Sequence, residues 1–302
     1  MIETIQLGSI KWYHILYPSE ENLNFLSENF DFHPLDIEDC RSRVQRPKID
    51  VYEDYYFMIL HFPYADKANK FVKTKEVKIF WGKDYVITIG KSHWVVKNLF
   101  NEVKENPDTA LGNLPNTSDI LLYSILEALM KETMSLLTRI DEELDLINRE
   151  IFNIRAEKTI ERISVTRKNL ILINTIFRPQ LRVFQKFESG AIEGFAEEME
   201  EYWGNILDYY QKMWDMIEDY EELIEGFSKT FDSLQANRTN QIMKILTFIS
   251  TIMLPLSVIT GMYGMNVALP MGKNPVAFYV ILSGMVLIMG GMMLFFKRKK
   301  WM

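Results

Sequence analysis

The sequence predicts an α/β N-terminal cytosolic domain, a stalk of long helices and two C-terminal transmembrane helices. Three observations carry that architecture. Ile245 to Gly272 is 28 residues without a charge, and Asn274 to Phe296 is another 23. Each exceeds the roughly 20 residues needed to cross about 30 Å of hydrocarbon. From Ser118 onward, apolar residues recur in steps of three and four over stretches far longer than an ordinary helix. Residues 1–115 instead carry short aromatic and β-branched runs bounded by turn residues.

Within residues 1–115 the strand signals are Tyr55–Phe62, Val77–Trp81 and Tyr85–Ile89, punctuated by Gly82-Lys83-Asp84 and Gly90. Segments near 19–29 and 94–105 read as helices. Residues 116–240 form the stalk. Ile120, Leu121, Leu126, Leu129, Met130, Leu136, Leu137, Ile140, Leu144, Ile147 and Ile151 mark a first helix of about 35 residues. A second runs near 158–186 and stops at Ser189-Gly190. A third begins near Glu197 and meets no strong breaker, so it should continue into the bilayer as one helix. Residues 241–302 hold the two spans, at about 245–265 and 275–296, with a short outer loop and a basic tail.

Charge orients the molecule. The second span runs into Lys297-Arg298-Lys299-Lys300, which the positive-inside rule places in the cytoplasm. Two crossings return the N-terminal domain to that side. The expected location is the cell membrane, multi-pass, with both termini cytoplasmic. Met1 to Gln6 has neither a basic nor an apolar signal-peptide region. The single Cys40 excludes an intrachain disulfide framework. The net charge of −7 is concentrated: residues 193–225 contribute −11 through twelve acids and Lys212, leaving the remainder at +4. That stretch is a solvated helix face or a surface that gathers cations.

Several function classes fall away. No basic surface interleaved with aromatics is present, so nucleic acid is not an expected partner. His14, His33, His61 and His93 are scattered without ligand spacing. Met285, Met289, Met292 and Met293 lack the thiolate or imidazole of a soft-metal site and read as packing or lipid-facing residues. No nucleophile–base set and no P-loop is visible, so neither an enzyme nor an ATP-driven pump is expected. The arrangement points to transport.

The first span carries the chemistry. Steps of three and four pick out Asn240, Met243, Thr247, Ser250, Leu254, Ser257, Gly261 and Gly264, with Leu246 beside them. Polar groups facing lipid cost free energy, so this seam should face protein or water. A bundle contact between small residues is one explanation. Several copies around an axis, each seam residue becoming a ring, is the other. At the end of the span, Gly264 permits a close turn, and Asn266 with freed carbonyls makes a ring of neutral oxygens. Mg2+ dehydrates reluctantly, so such a ring suits a hydrated ion. The seam contains no carboxylate to hold an ion too long for flux.

Gly264-Met265-Asn266, preceded by Asn240 to Thr247 and by Pro255, resembles the CorA family of divalent-cation channels. His33-Pro34-Leu35, Glu38-Asp39, Gln45-Arg46-Pro47-Lys48 and the Lys-rich tail with Trp301 are similar to that family too, so the likeness covers essentially the whole chain. The resemblance implies a homopentameric funnel in the lipid bilayer. In it Gly264, Met265 and Asn266 form the selectivity filter, and Asn240 makes a polar ring at the cytosolic end. Met243, Leu246 and Leu254 close the pore by dewetting, while Thr247, Ser250, Ser257 and Gly261 line the path. It also implies gating by intracellular Mg2+ bound between cytosolic domains, at Glu38, Asp39 and Glu127. A family Asp on the stalk is replaced here by Asn205, with Asp208 one turn later as a substitute. Lys273 in the outer loop replaces acids often found there. The expected function is passive, potential-driven import of Mg2+. The alternatives are a Zn2+, Co2+ or Ni2+ transporter of the same superfamily, or a membrane-anchored scaffold or sensor that does not conduct.

Overall fold

Why the aromatic runs form strands is visible in what covers them. In the computed structural model, which describes residues 2–41, 45–66, 70–90, 93–107, 117–152, 156–196, 199–266 and 275–299, β4 (Tyr55–Ala65) is buried along nearly its whole length. A strand covered on both faces reads as a continuous apolar run rather than an alternating one. The sheet comprises β1 (Ile2–Leu7), β2 (Ile10–Ile15), β3 (Lys48–Val51), β4, β5 (Val72–Gly82) and β6 (Tyr85–Ile89). Their spatial order is β1-β2-β6-β5-β4-β3. β2 and β6 are parallel and every other neighbouring pair is antiparallel.

Helices α1 (Glu20–Asn29) and α2 (Pro34–Arg41) cover one face. Leu23, Leu26, Phe32, Ile37 and Cys40 pack there against Phe57, Ile59, Phe80 and Ile87. Residues of the opposite parity meet helices on the other face. Trp12 packs edge-on against Phe100 of α3 (Trp94–Glu105) at 5.0 Å between ring centroids. α4 (Ser118–Glu150) and α5 (Ala156–Glu188) also lie against β4 and β5. Trp81 reaches Phe187 of α5 and Trp203 of α6 (Glu200–Tyr263).

Each long helix has a local reason to start or stop. Thr117 caps α4, its Oγ1 accepting from the Ile120 N–H at 3.3 Å. Gly190, at φ +71, follows the end of α5. α6 runs 64 residues. α7 (Pro275–Arg298) completes the described chain. The chain separates into two compact units, Met1–Ser228 and Lys229–Met302, with the boundary inside α6.

The predicted α/β domain, long helices and two C-terminal apolar helices are all present, and both spans are long and apolar enough to cross a membrane. Four elements have no counterpart in the sequence reading: β1, β2, α2 and β3. The first two alternate with Lys11, His14 and other polar residues, which dilutes the strand signal. α2 turns Asp36 inward to accept from Tyr55 at 2.8 Å, so its apolar periodicity is broken. β3 is a short edge strand.

Candidate functional site

The proposed ion path lies on α6 in the second unit, and α7 decides which of its faces is free. Ile252 of α6 is buried and Phe248, Pro255, Leu256 and Ile259 are half-buried, whereas Met243, Leu246 and Leu254 are 59%, 63% and 66% exposed. Phe248 packs edge-on against Phe296 of α7 at 5.2 Å. The half-buried side of α7 includes Met285, Met289 and Met292, which are packing material, whereas Met293 is exposed. At 100° per residue the half-buried stripe of α6 falls within about 60° of Ile252. Asn240, Met243, Leu246, Thr247, Ser250, Leu254, Ser257, Gly261 and Gly264 all fall within about 60° of the opposite direction. The seam is therefore the face that α7 leaves uncovered.

Hydroxyl bonding separates the two sides. Off the seam, Thr251 donates to the Thr247 carbonyl at 2.7 Å and Thr260 to the Leu256 carbonyl at 3.1 Å. On the seam, the hydroxyls of Thr247, Ser250 and Ser257 form no hydrogen bond among the described residues. A hydroxyl without a partner in hydrocarbon costs free energy, so these three call for water or a neighbouring polar group.

At the top of α6 the chain tightens. The Gly264 N–H donates to the Thr260 carbonyl at 2.9 Å and the Met265 N–H to the Met262 carbonyl at 3.3 Å. A Cβ on Gly264 would stand 3.1 Å from the Thr260 oxygen, so a side chain there would crowd the turn. Met265 and Asn266 follow, both exposed. Lys273, Lys300 and Trp301 lie outside the described residues.

The predicted regulatory acids lie in the first unit and fall into two groups. Glu38 and Asp39 sit on α2, Glu38 exposed and Asp39 paired with Lys48 Nζ at 2.7 Å. Lys48 also binds Asp50. Burial works against its charge, but the bonds to Asp39 and Asp50 outweigh that and raise its pKa. Lys78, buried in β5, donates to the carbonyls of Asp39 at 2.6 Å and Cys40 at 3.4 Å and pairs with Glu76 at 2.8 Å. It thus holds the C-terminal carbonyls of α2. Burial raises the pKa of neighbouring Asp36, while bonds from Tyr55 and Tyr52 counteract it. Burial pushes the Cys40 thiol up to about 12, so it is an inert core residue.

The second group lies where α4 meets α6. Asn205 Nδ2 donates to the Tyr123 hydroxyl at 2.8 Å. Glu127, one turn beyond Tyr123, pairs with Lys131 at 2.9 Å. Burial raises the Tyr123 pKa, the Asn205 bond opposes that rise, and the Glu127 charge adds to it. Asp208 is exposed one turn along α6. The structure thus places Asn205 and Glu127 beside one tyrosine, and puts Glu38 and Asp39 on the sheet's other side. Among the described residues no three His, Cys, Asp or Glu side chains are grouped to hold a metal. The donors are all oxygens and suit Mg2+, but one chain does not assemble them. Sequence reasoning gave no role to Lys48, Lys78 or Tyr123. The one visible signal was a lysine at position 78 inside the buried run Val77–Trp81.

Comparison with known proteins places the chain in a family. Residues 8–298 match the family profile described as CorA-like Mg2+ transporter protein. The cobalt/magnesium transport protein CorA of Thermotoga maritima is 29% identical over 92% of this chain and 79% of its own length. The zinc transport protein ZntB of Pectobacterium atrosepticum is 24% identical over 65% of this chain and 60% of its own. The CorA magnesium transporter structure from Methanocaldococcus jannaschii superposes with a TM-score of 0.84 at 23% identity, covering 99% of this chain and 94% of that one. With a family match running almost end to end, this chain belongs to the CorA family of divalent-cation transporters, which are membrane proteins and not enzymes.

Proposed function

We propose that this protein is a passive channel that imports hydrated Mg2+, built as a homopentamer whose α6 seams line the pore. The observation that carries this reading is the contrast in hydroxyl bonding along α6. Thr251 and Thr260 satisfy themselves on the helix, whereas Thr247, Ser250 and Ser257 on the α7-free face do not. Water in a pore supplies their partners. The domain scheme of the reading is a cytosolic α/β domain at 1–115, a helical stalk at 116–240 and a membrane part at 241–302, in the cell membrane with both termini cytoplasmic.

Each residue then has a task. Asn266, with Gly264 and Met265, recognises the ion's water shell through neutral oxygens. Neutral donors bind weakly enough to release the ion onward. Asn240 forms a polar ring at the cytosolic end. Met243, Leu246 and Leu254 form the constriction, and Thr247, Ser250, Ser257 and Gly261 line the path. The membrane potential supplies about 4.6 kcal/mol per 100 mV for a divalent ion. Internal Mg2+ supplies positive charge that links acids of adjacent subunits. Asp39 and Glu38 present carboxylates from α2, and Glu127, Asn205 and Asp208 present oxygens from α4 and α6. Loss of that link frees the stalks to move and lets the constriction wet.

Flux into proteoliposomes tests the reading. Asn266→Ala should cut Mg2+ uptake at least tenfold while assembly is retained; unchanged transport would overturn the selectivity role. A second reading, transport of Zn2+, Co2+ or Ni2+, draws support from the cobalt and zinc transporters among the relatives. Competition between these ions in the same assay separates the two. A non-conducting scaffold predicts no ion-dependent current.

A further inference from the structure

We propose that Lys48 is a tethered competitor for the cation at Asp39, and so sets how much internal Mg2+ is needed to hold the channel shut. This rests on the reading of Asp39 as a regulatory ligand. The ammonium already occupies the place of a cation: Lys48 Nζ lies 2.7 Å from the Asp39 carboxylate and also bonds Asp50. Lys48 and Asp50 are two apart on β3 and share one face of the strand. β3 is anchored by pairing with β4, Lys48 standing opposite Ile59. The ammonium is further steadied 5.3 Å above the Phe57 ring.

The backbone of Asp39 is anchored beside this cation, so only its carboxylate can turn. Its carbonyl is held at 2.6 Å by the buried ammonium of Lys78, which also reaches the Cys40 carbonyl. Any divalent ion arriving at the Asp39 oxygens meets the Lys48 charge. Asp50 then serves as the alternative partner, where the ammonium stays while Asp39 turns to the ion.

Charge counting gives the two flanking residues opposite effects. Asp39, Asp50 and Lys48 together carry −1. Lys48→Gln makes the group −2, and Asp50→Asn makes it neutral. One unit charge about 5 Å from a divalent ion changes affinity by about tenfold at water-like dielectric. With Lys48 and Asp50 side chains about a third exposed, solvent screening reduces this to about three- to tenfold. A merely structural role for Lys48 would move both variants the same way, toward lower stability.

The test is Mg2+ titration of the full-length protein in detergent, read as the Mg2+ concentration giving half of the Tm increase. Half-inhibition of proteoliposome flux is measured in parallel. Lys48→Gln should lower both half-points about three- to tenfold, Asp50→Asn should raise them, and Lys48→Arg should leave them within about twofold. Asp39→Asn should abolish the response. If Asp39→Asn abolishes it but Lys48→Gln leaves the half-points unchanged or raises them, competition by Lys48 is overturned and the regulatory reading stands. If Asp39→Asn leaves the response intact, the regulatory reading falls and the role of Lys48 falls with it. Should Lys48→Gln fail to fold, Asp50→Asn decides alone: half-points that do not rise overturn the proposal.

Discussion

Asp119 is fully buried, yet it carries a carboxylate that the helix signal alone does not explain. It accepts from the Phe195 N–H at 2.8 Å and lies 3.4 Å from the Ser118 hydroxyl. Gly194 stands beside it at φ +81, and a Cβ there would sit 2.4 Å from Asp119 Oδ1. Together they fasten the connection between α5 and α6 to the start of α4. Burial raises the Asp119 pKa, against the opposing hydrogen bonds from Phe195 and Ala196. A carboxyl whose pKa is raised in the folded state contributes most stability below its ordinary pKa and loses that contribution as pH climbs through the folded value. Asp119→Ala should cost about 1–3 kcal/mol by leaving the Phe195 N–H unpaired. Asp119→Asn keeps an acceptor without the buried charge, so its stability relative to the native protein should improve from pH 4 to pH 7, as paired thermal melts will show. In sequence Asp119 is only an acid in a helix's first turn. Its partner lies 76 positions away, which is why its role could not be read there.

At the scale of elements, α6 shows what periodicity conveys and what it withholds. Recurrence in threes and fours marks Asn240 to Gly264 as one face, and hydrocarbon length marks the span. Both are local properties, and both are present in the structure. Which face meets α7 was not legible, because apolar residues surround the whole helix and Leu254 looks no different from Ile252. Phe248, one turn before Ile252 on the same side, packs against Phe296, and along that helix Ile252 is buried while Leu254 is exposed. If Leu254 helps form the constriction, Leu254→Ala should widen it and raise Mg2+ leak at saturating internal Mg2+ by about tenfold in proteoliposomes. The same change at a lipid-facing position would leave leak near its native level. The strands divide in the same way. β4, β5 and β6 were legible because burial on both faces demands continuous apolar runs. β1 and β2 were not: Glu3, Thr4 and Gln6 interrupt the first and Lys11 and His14 the second, although Trp12 between those last two is fully buried.

The whole molecule leaves a large unsatisfied surface when taken as one chain. Few residues of either apolar span are fully buried, as expected in lipid, but the seam hydroxyls of Thr247, Ser250 and Ser257 also form no hydrogen bond among the described residues. Lipid can cover Leu and Ile and cannot satisfy Ser250 or Ser257. In the proposed homopentamer, closed rotational symmetry would resolve this by turning one seam into a ring. Native mass spectrometry from detergent should therefore give a particle of five 35.6-kDa chains. A monomer or dimer under conditions that preserve flux would overturn the pore arrangement. By itself the sequence determined where the membrane spans lie, how long the helices run and which residues share the α6 seam. These follow from charge, length and periodicity, which neighbouring residues set together. Only the tertiary structure decided the parallel pairing of β2 with β6, the burial of Lys78 beneath α2, the pairing of Lys48 with Asp39, and the face of α6 that α7 leaves open. Each of these depends on groups far apart in the chain, and no local pattern encodes which of them will meet.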